Sequence, residues 1–81
     1  MPATEKLYQT FAQVLKLPRD QIHDGLAYNS VPQWDSVAHM ALVVALEEAF
    51  DIMLDTDDII DMSSVAVARD LLTRYGVALD A

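Results

Sequence analysis

Apolar positions along the chain recur at helical spacing in four clusters, and the longest gap between clusters holds Pro18, Gly25 and Pro32. Leu7, Phe11, Val14 and Leu15 lie four, seven and eight residues apart, which lines up one face of a helix from about Thr4 to Lys16. Thr4 suits the N-cap and Glu5 the first turn, and Pro18 discourages continuation. A second helix is expected from Ser36 to Phe50, with Asp35 as its cap and no Pro or Gly inside. A short third helix is expected from Thr56 to Asp61, capped by Asp55 or Thr56, with Ile59 and Ile60 as a buried pair. A fourth runs from Ser64 to about Tyr75, capped by Ser63 or Ser64, with Val65, Ala68, Leu71 and Leu72 inward and Gly76 as its stop. No strand signal exceeds a few residues. The pattern predicts an all-α fold: a single domain over residues 1–81 built as a four-helix bundle, with a short third helix and a long loop between the first two.

That loop is long for so small a domain, and loops of this length are functional or pinned by their own apolar side chains. Ile22, Leu26, Tyr28, Val31 and Trp34 are the candidate anchors, with a short helical turn expected near Gln21 to Leu26.

The second helix breaks the usual amphipathic rule. Its core face is expected to be Leu42, Ala45, Leu46, Ala49 and Phe50, yet the opposite side also carries Val37, Met40, Ala41 and Val44. A helix apolar nearly all round is central in its domain or offers an apolar patch to a partner. Full burial is geometrically difficult here, so a partner patch is expected, and the flexible Met40 side chain fits that role. Glu47 and Glu48 close this helix at the end where its dipole disfavours anions, which suggests that they serve something other than helix stability.

Charge narrows the partners. Thirteen acidic residues against five basic ones give a net charge of −8. Between Asp20 and Ala68 there is no Lys or Arg but there are ten Asp or Glu, seven of them between Glu47 and Asp61. Such a surface repels nucleic acid and anionic membranes and steers basic proteins toward itself. The 81 residues contain no cysteine, so disulfides, cysteine metal sites and thiol nucleophiles are excluded, in keeping with a cytoplasmic setting. The first residues lack the pattern of a signal peptide, and the apolar run around Met40 to Leu46 is too short to span a bilayer. Asp55-Thr56-Asp57-Asp58 has carboxylates near calcium-loop spacing but lacks the central glycine and closing glutamate, and His23 and His39 fit no metal motif. No metal site and no enzyme activity are expected.

Asp35-Ser36-Val37 opens the second helix. In isolation such a pair reads as capping, although an anion attached to Ser36 would be favoured by the free N–H groups of the first turn. The longer segment Trp34 to Asp51, with Asp35-Ser36 at the helix start and Ala45-Leu46-Glu47-Glu48-Ala49-Phe50 at its end, resembles the acyl carrier protein family. Asp57-Asp58-Ile59 is similar to that family's acidic third helix, and Ser63-Ser64-Val65 to the start of its fourth. The resemblance covers most of the chain, most closely Trp34 to Leu72. It implies that Ser36 is the attachment point of 4'-phosphopantetheine, supplied from coenzyme A by a phosphopantetheinyl transferase, and that Asp35 helps the transferase recognise it. It implies a partner face of Val37, Met40, Ala41, Val44, Glu47, Glu48, Asp57 and Asp58. The protein would be a monomeric carrier of acyl thioesters, meeting a loading ligase and downstream biosynthetic enzymes with basic surfaces.

Val37 stands where the family usually has Leu, and Ala38 and Ala41 stand where many members are acidic, which points away from general fatty-acid synthesis. His39 is expected to pack or face solvent rather than act as a base on Ser36. Two other readings remain at this level: an aminoacyl or peptidyl carrier, and an unmodified helical interaction module. A cavity lined by Leu46, Met53, Ile59 and Met62 would favour a fatty cargo, and a filled core a small one.

Overall fold

The computed structural model describes residues 2–79. It contains four α-helices: α1 (Ala3–Leu15), α2 (Ser36–Phe50), α3 (Thr56–Asp61) and α4 (Val65–Arg74). A 3-10 turn, Arg19–Gln21, follows α1. There is no strand among the described residues, only one isolated antiparallel bridge between Ala27 and Ser64. No helix among them is long and apolar enough to cross a membrane.

Helix ends follow local chemistry. α1 starts one residue before the expected Thr4, because Pro2 takes the N-cap position and its carbonyl accepts the Lys6 amide at 2.9 Å. It closes on Lys16 in the left-handed conformation, with Leu17 N–H donating to Ala12 O at 3.1 Å. The Asp35 carboxylate caps α2 by accepting the Ala38 amide at 2.9 Å, and Asp51 ends that helix at φ 53°. Ser64, not Ser63, caps α4 by accepting the Val67 amide at 3.2 Å. Gly76, at φ +87°, allows the turn that ends α4. The helical turn of the long loop sits earlier than expected, at Arg19–Gln21, because Pro18 supplies the φ of −59° that starts it.

The core is one cluster. Leu7, Phe11 and Leu15 from α1 meet Leu42, Val43 and Leu46 from α2 and Val65, Ala68, Leu71 and Leu72 from α4. Each large side chain fully buried there contributes roughly 1.5–3 kcal/mol. The face of α2 is rotated slightly from expectation: Val43 is buried, whereas Ala45, Ala49 and Phe50 are only partly covered. α3 buries no residue completely; Ile59 is half-buried and Ile60 stands 73% exposed, so the expected buried pair is split. This six-residue helix lies at the edge of the core, and Ile60, one position past Ile59, falls on its solvent side.

The long loop is pinned. Ile22, Leu26 and Trp34 are buried in the same cluster, Val31 packs against it, and Tyr28 lies at its edge. Tyr28 N–H donates to Ser63 O at 2.9 Å, Val65 N–H to Leu26 O at 3.0 Å and Ala66 N–H to Asp24 O at 3.1 Å, tying the loop to the start of α4. Asp24 accepts the Tyr8 hydroxyl and the Arg69 guanidinium, each at 2.6 Å. The Tyr8 bond first, and Arg69 with it, hold the Asp24 carboxyl below the usual carboxylate range. Arg19 makes a two-pronged pair with Glu5, at 2.7 and 2.8 Å, and lies over the Tyr8 ring.

Candidate functional site

Ser36 is the first residue of α2 and is exposed. Asp35 engages the Ala38 amide, which leaves the Ser36 and Val37 amides among the first-turn donors that lack an intrahelical partner. A phosphate carried on the Ser36 hydroxyl would therefore meet backbone donors and the positive end of a 15-residue helix. The residues present thus fit an anionic group attached at this hydroxyl.

Beside Ser36 opens a groove of about 300 Å³. Ser36, His39 and Met40 of α2 form one wall and Ile59 and Ile60 of α3 the other, and Tyr28, Met62 and Ser63 complete it. The lining is mostly apolar. The expected cavity differs in membership: Ile59 and Met62 contribute, but Leu46 is sealed in the core and Met53 projects away at 82% exposure.

His39 is held rather than free. Its Nδ1 accepts the Trp34 indole N–H at 3.0 Å, which leaves Nε2 to carry the proton and donate to the Ile59 carbonyl at 2.8 Å. Both ring nitrogens are occupied, so neither is available as a base toward Ser36. The His39 and Trp34 rings lie side by side across the bond that joins them, with centroids 6.1 Å apart and planes 18° from parallel, and the imidazole meets Tyr28 edge-on at 5.4 Å. Trp34 is fully buried and packs edge-on against Phe11 of α1 at 5.3 Å.

From Ser36 an exposed apolar stripe runs along α2: Val37 at 77% exposure, Met40 and Val44 each at 52%, with Ala41 exposed between them. Glu48 and Asp57 are exposed near its far end and on α3. Glu47 and Asp58 are turned to structural use. Glu47 Oε2 accepts the Leu54 amide at 2.9 Å, holding the segment between α2 and α3. Asp58 accepts the Tyr75 hydroxyl at 2.6 Å and lies 3.8 Å from Arg74. Tyr75 Oη also accepts the Asp55 amide at 2.8 Å, so this one hydroxyl fastens α3 to the end of α4. The three arginines all pair with carboxylates of this chain, and no Lys or Arg neighbours the stripe in sequence between residues 20 and 68. Among the described residues no group of three or more His, Cys, Asp or Glu is arranged to hold a metal.

The His39 and Tyr75 links are the functional-site features that sequence reasoning missed. The aromatic pair Trp34 and His39, five residues apart and flanking the serine, was the available signal. No family model matches this chain, and no curated protein matches it.

Proposed function

We propose that this chain is a carrier protein modified at Ser36 by 4'-phosphopantetheine, with its four α-helices arranged as a carrier-type bundle whose short third helix borders the arm. The observation that carries this reading is an exposed serine at the mouth of a long helix, with an apolar groove on one side and an apolar, acid-flanked stripe on the other. When bound, the arm supplies a terminal thiol that holds acyl cargo as a thioester. The chain itself supplies no nucleophile for cargo chemistry and is not an enzyme in this reading.

In the modification, Ser36 Oγ bonds to the phosphorus of coenzyme A that bears the pantetheine. The bond from that phosphorus to the bridging oxygen breaks, adenosine 3',5'-bisphosphate leaves with the electron pair, and the hydroxyl proton passes to a base on the transferase. Asp35 fixes the helix start, and the Ser36 and Val37 amides would be the backbone donors nearest the attached phosphate. Val37, Met40, Ala41 and Val44 give partner enzymes an apolar contact, and Glu48 and Asp57 steer enzymes with basic faces. The protein acts as a cytoplasmic monomer, and tethering raises the effective concentration of cargo at each partner.

Intact mass tests the reading. Incubation with a broad-specificity phosphopantetheinyl transferase and coenzyme A adds one arm to the protein and none to Ser36→Ala. A folded protein that takes up no arm would instead be an interaction module using the α2 stripe alone.

A further inference from the structure

We propose that Trp34, His39 and Ile59 form a latch limiting the cargo on Ser36 to short acyl or aminoacyl groups, held in the open groove and barred from the helical interior. The inference rests on the carrier reading and concerns which cargo that site accepts. His39 of α2 and Ile59 of α3 both line the groove, and a hydrogen bond 2.8 Å long joins them. The bar is anchored on both sides. On one side His39 is fixed by the Trp34 indole, which is itself buried against Phe11 of α1. On the other, α3 is fastened by the Tyr75 hydroxyl through Asp55 and Asp58.

A chain extending from Ser36 along the groove meets this bar before it reaches the core. To pass, it must separate the imidazole N–H from the Ile59 carbonyl and leave both without partners in apolar surroundings, a penalty that accrues before any methylene is buried. Beyond the bar lie Leu42 and Leu46, each at most 1% exposed in the core cluster, so a chain is repaid only by parting these side chains once the bar is open. The groove's 300 Å³ lies at the lower end of small-ligand pockets, roughly 300–1,000 Å³. It suits part of an arm and a small cargo group, not a long hydrocarbon.

The test loads Ser36 with pantetheine bearing an acetyl or a dodecanoyl group through a hydrolysis-resistant amide, with attachment read by intact mass. Melting temperature and cargo-to-protein nuclear Overhauser contacts are then compared. In the unaltered protein the two cargoes are expected to give the same melting temperature, with contacts confined to Tyr28, Met40 and Ile60. In His39→Ala the dodecanoyl form is expected to melt about 5 °C above the acetyl form, with new contacts to Leu42 and Leu46. His39→Gln, which retains an acceptor and a donor, should restore indifference to cargo length. Trp34→Phe, which removes the indole donor, replaces His39→Ala if that variant does not fold. Dodecanoyl contacts to Leu42 or Leu46 in the unaltered protein, or indifference to length in the opened variant, would overturn the latch while leaving the carrier reading intact. Absence of any arm in the mass spectrum would remove both.

Discussion

The Glu47 carboxylate accepts the Leu54 amide at 2.9 Å and so converts an electrostatically awkward residue into a clamp. An anion in the last turn of a helix opposes the dipole. Here the cost is offset by a charge-assisted bond that satisfies the backbone of a buried residue in the α2–α3 connection.

Glu47→Ala should therefore lower unfolding free energy by about 1–3 kcal/mol and speed exchange of the Leu54 amide. Glu48→Ala, at an exposed neighbour with no such bond, should change stability by no more than about 0.5 kcal/mol. Denaturant melts and hydrogen exchange on the two variants check this. Equal losses would show that the carboxylate at position 47 is not a clamp.

The tether of α3 should fail in alkali. Donation to Asp58 raises the Tyr75 pKa above its ordinary value, with burial and the Asp55 and Asp58 charges acting the same way and the Asp55 amide opposing. A raised folded-state pKa means that the contribution is whole below the unfolded value of about 10 and disappears as pH climbs through the folded one. Amides of Thr56 to Ile59 should lose protection above that point, beyond the general base catalysis of exchange seen in α2. In Tyr75→Phe the same amides should exchange on the order of tenfold faster already at neutral pH.

The loop behaves oppositely, in acid. Tyr8 and then Arg69 lower the Asp24 pKa, and Arg19 lowers that of Glu5. Both carboxylates thus contribute above their unfolded values, near 4, and lose that contribution as pH falls through the depressed folded ones. Both groups are partly exposed to solvent, so the effect is local and modest. Relative to unstructured amides, the Leu26, Tyr28 and Val65 amides should lose protection below about pH 4, and Asp24→Asn should weaken the response. An unchanged acid profile in Asp24→Asn would show that the link to Tyr8 and Arg69 does not hold the loop.

The two ends of α2 should respond in opposite directions. Asp35→Ala removes a side-chain cap and should cost about 1 kcal/mol. Asp51→Gly places a residue free of Cβ strain at φ 53° and removes an anion from the negative end of the helix. It should add about 1 kcal/mol, equivalent to about 4–8 °C in melting temperature for a domain of this size. Thermal denaturation of both variants, with arm attachment followed in parallel, separates stability from recognition at Asp35.

What the sequence made legible was local. The limits of α2, Ser36–Phe50, follow from one cap and the absence of breakers, and those of α3, Thr56–Asp61, match the expected range. The inward face of α4 follows from spacing alone. The orientation of α2 was harder to read, because a helix apolar nearly all round carries little directional signal. Val43 was left out of the expected core and Phe50 was placed too deep for that reason. The uses of Glu47 and Tyr75, and the bond from His39 to Ile59, were illegible because each depends on a backbone group supplied from elsewhere in the chain; only the Trp34 side of the His39 link left a local signal. Ser36 was singled out by resemblance as well as by position, and its exposure and its groove are what the structure adds.

The bridge between Ala27 and Ser64 has a consequence for how the molecule comes into being. The loop beneath Ser36 rests on hydrogen bonds given by Val65 and Ala66, residues that leave the ribosome well after the serine does. Until they arrive, the Leu26 and Asp24 carbonyls lack these donors and the loop is not yet pinned. Assembly of this loop therefore waits on the start of α4, and the platform for the serine is finished only after Val65 and Ala66 have been made.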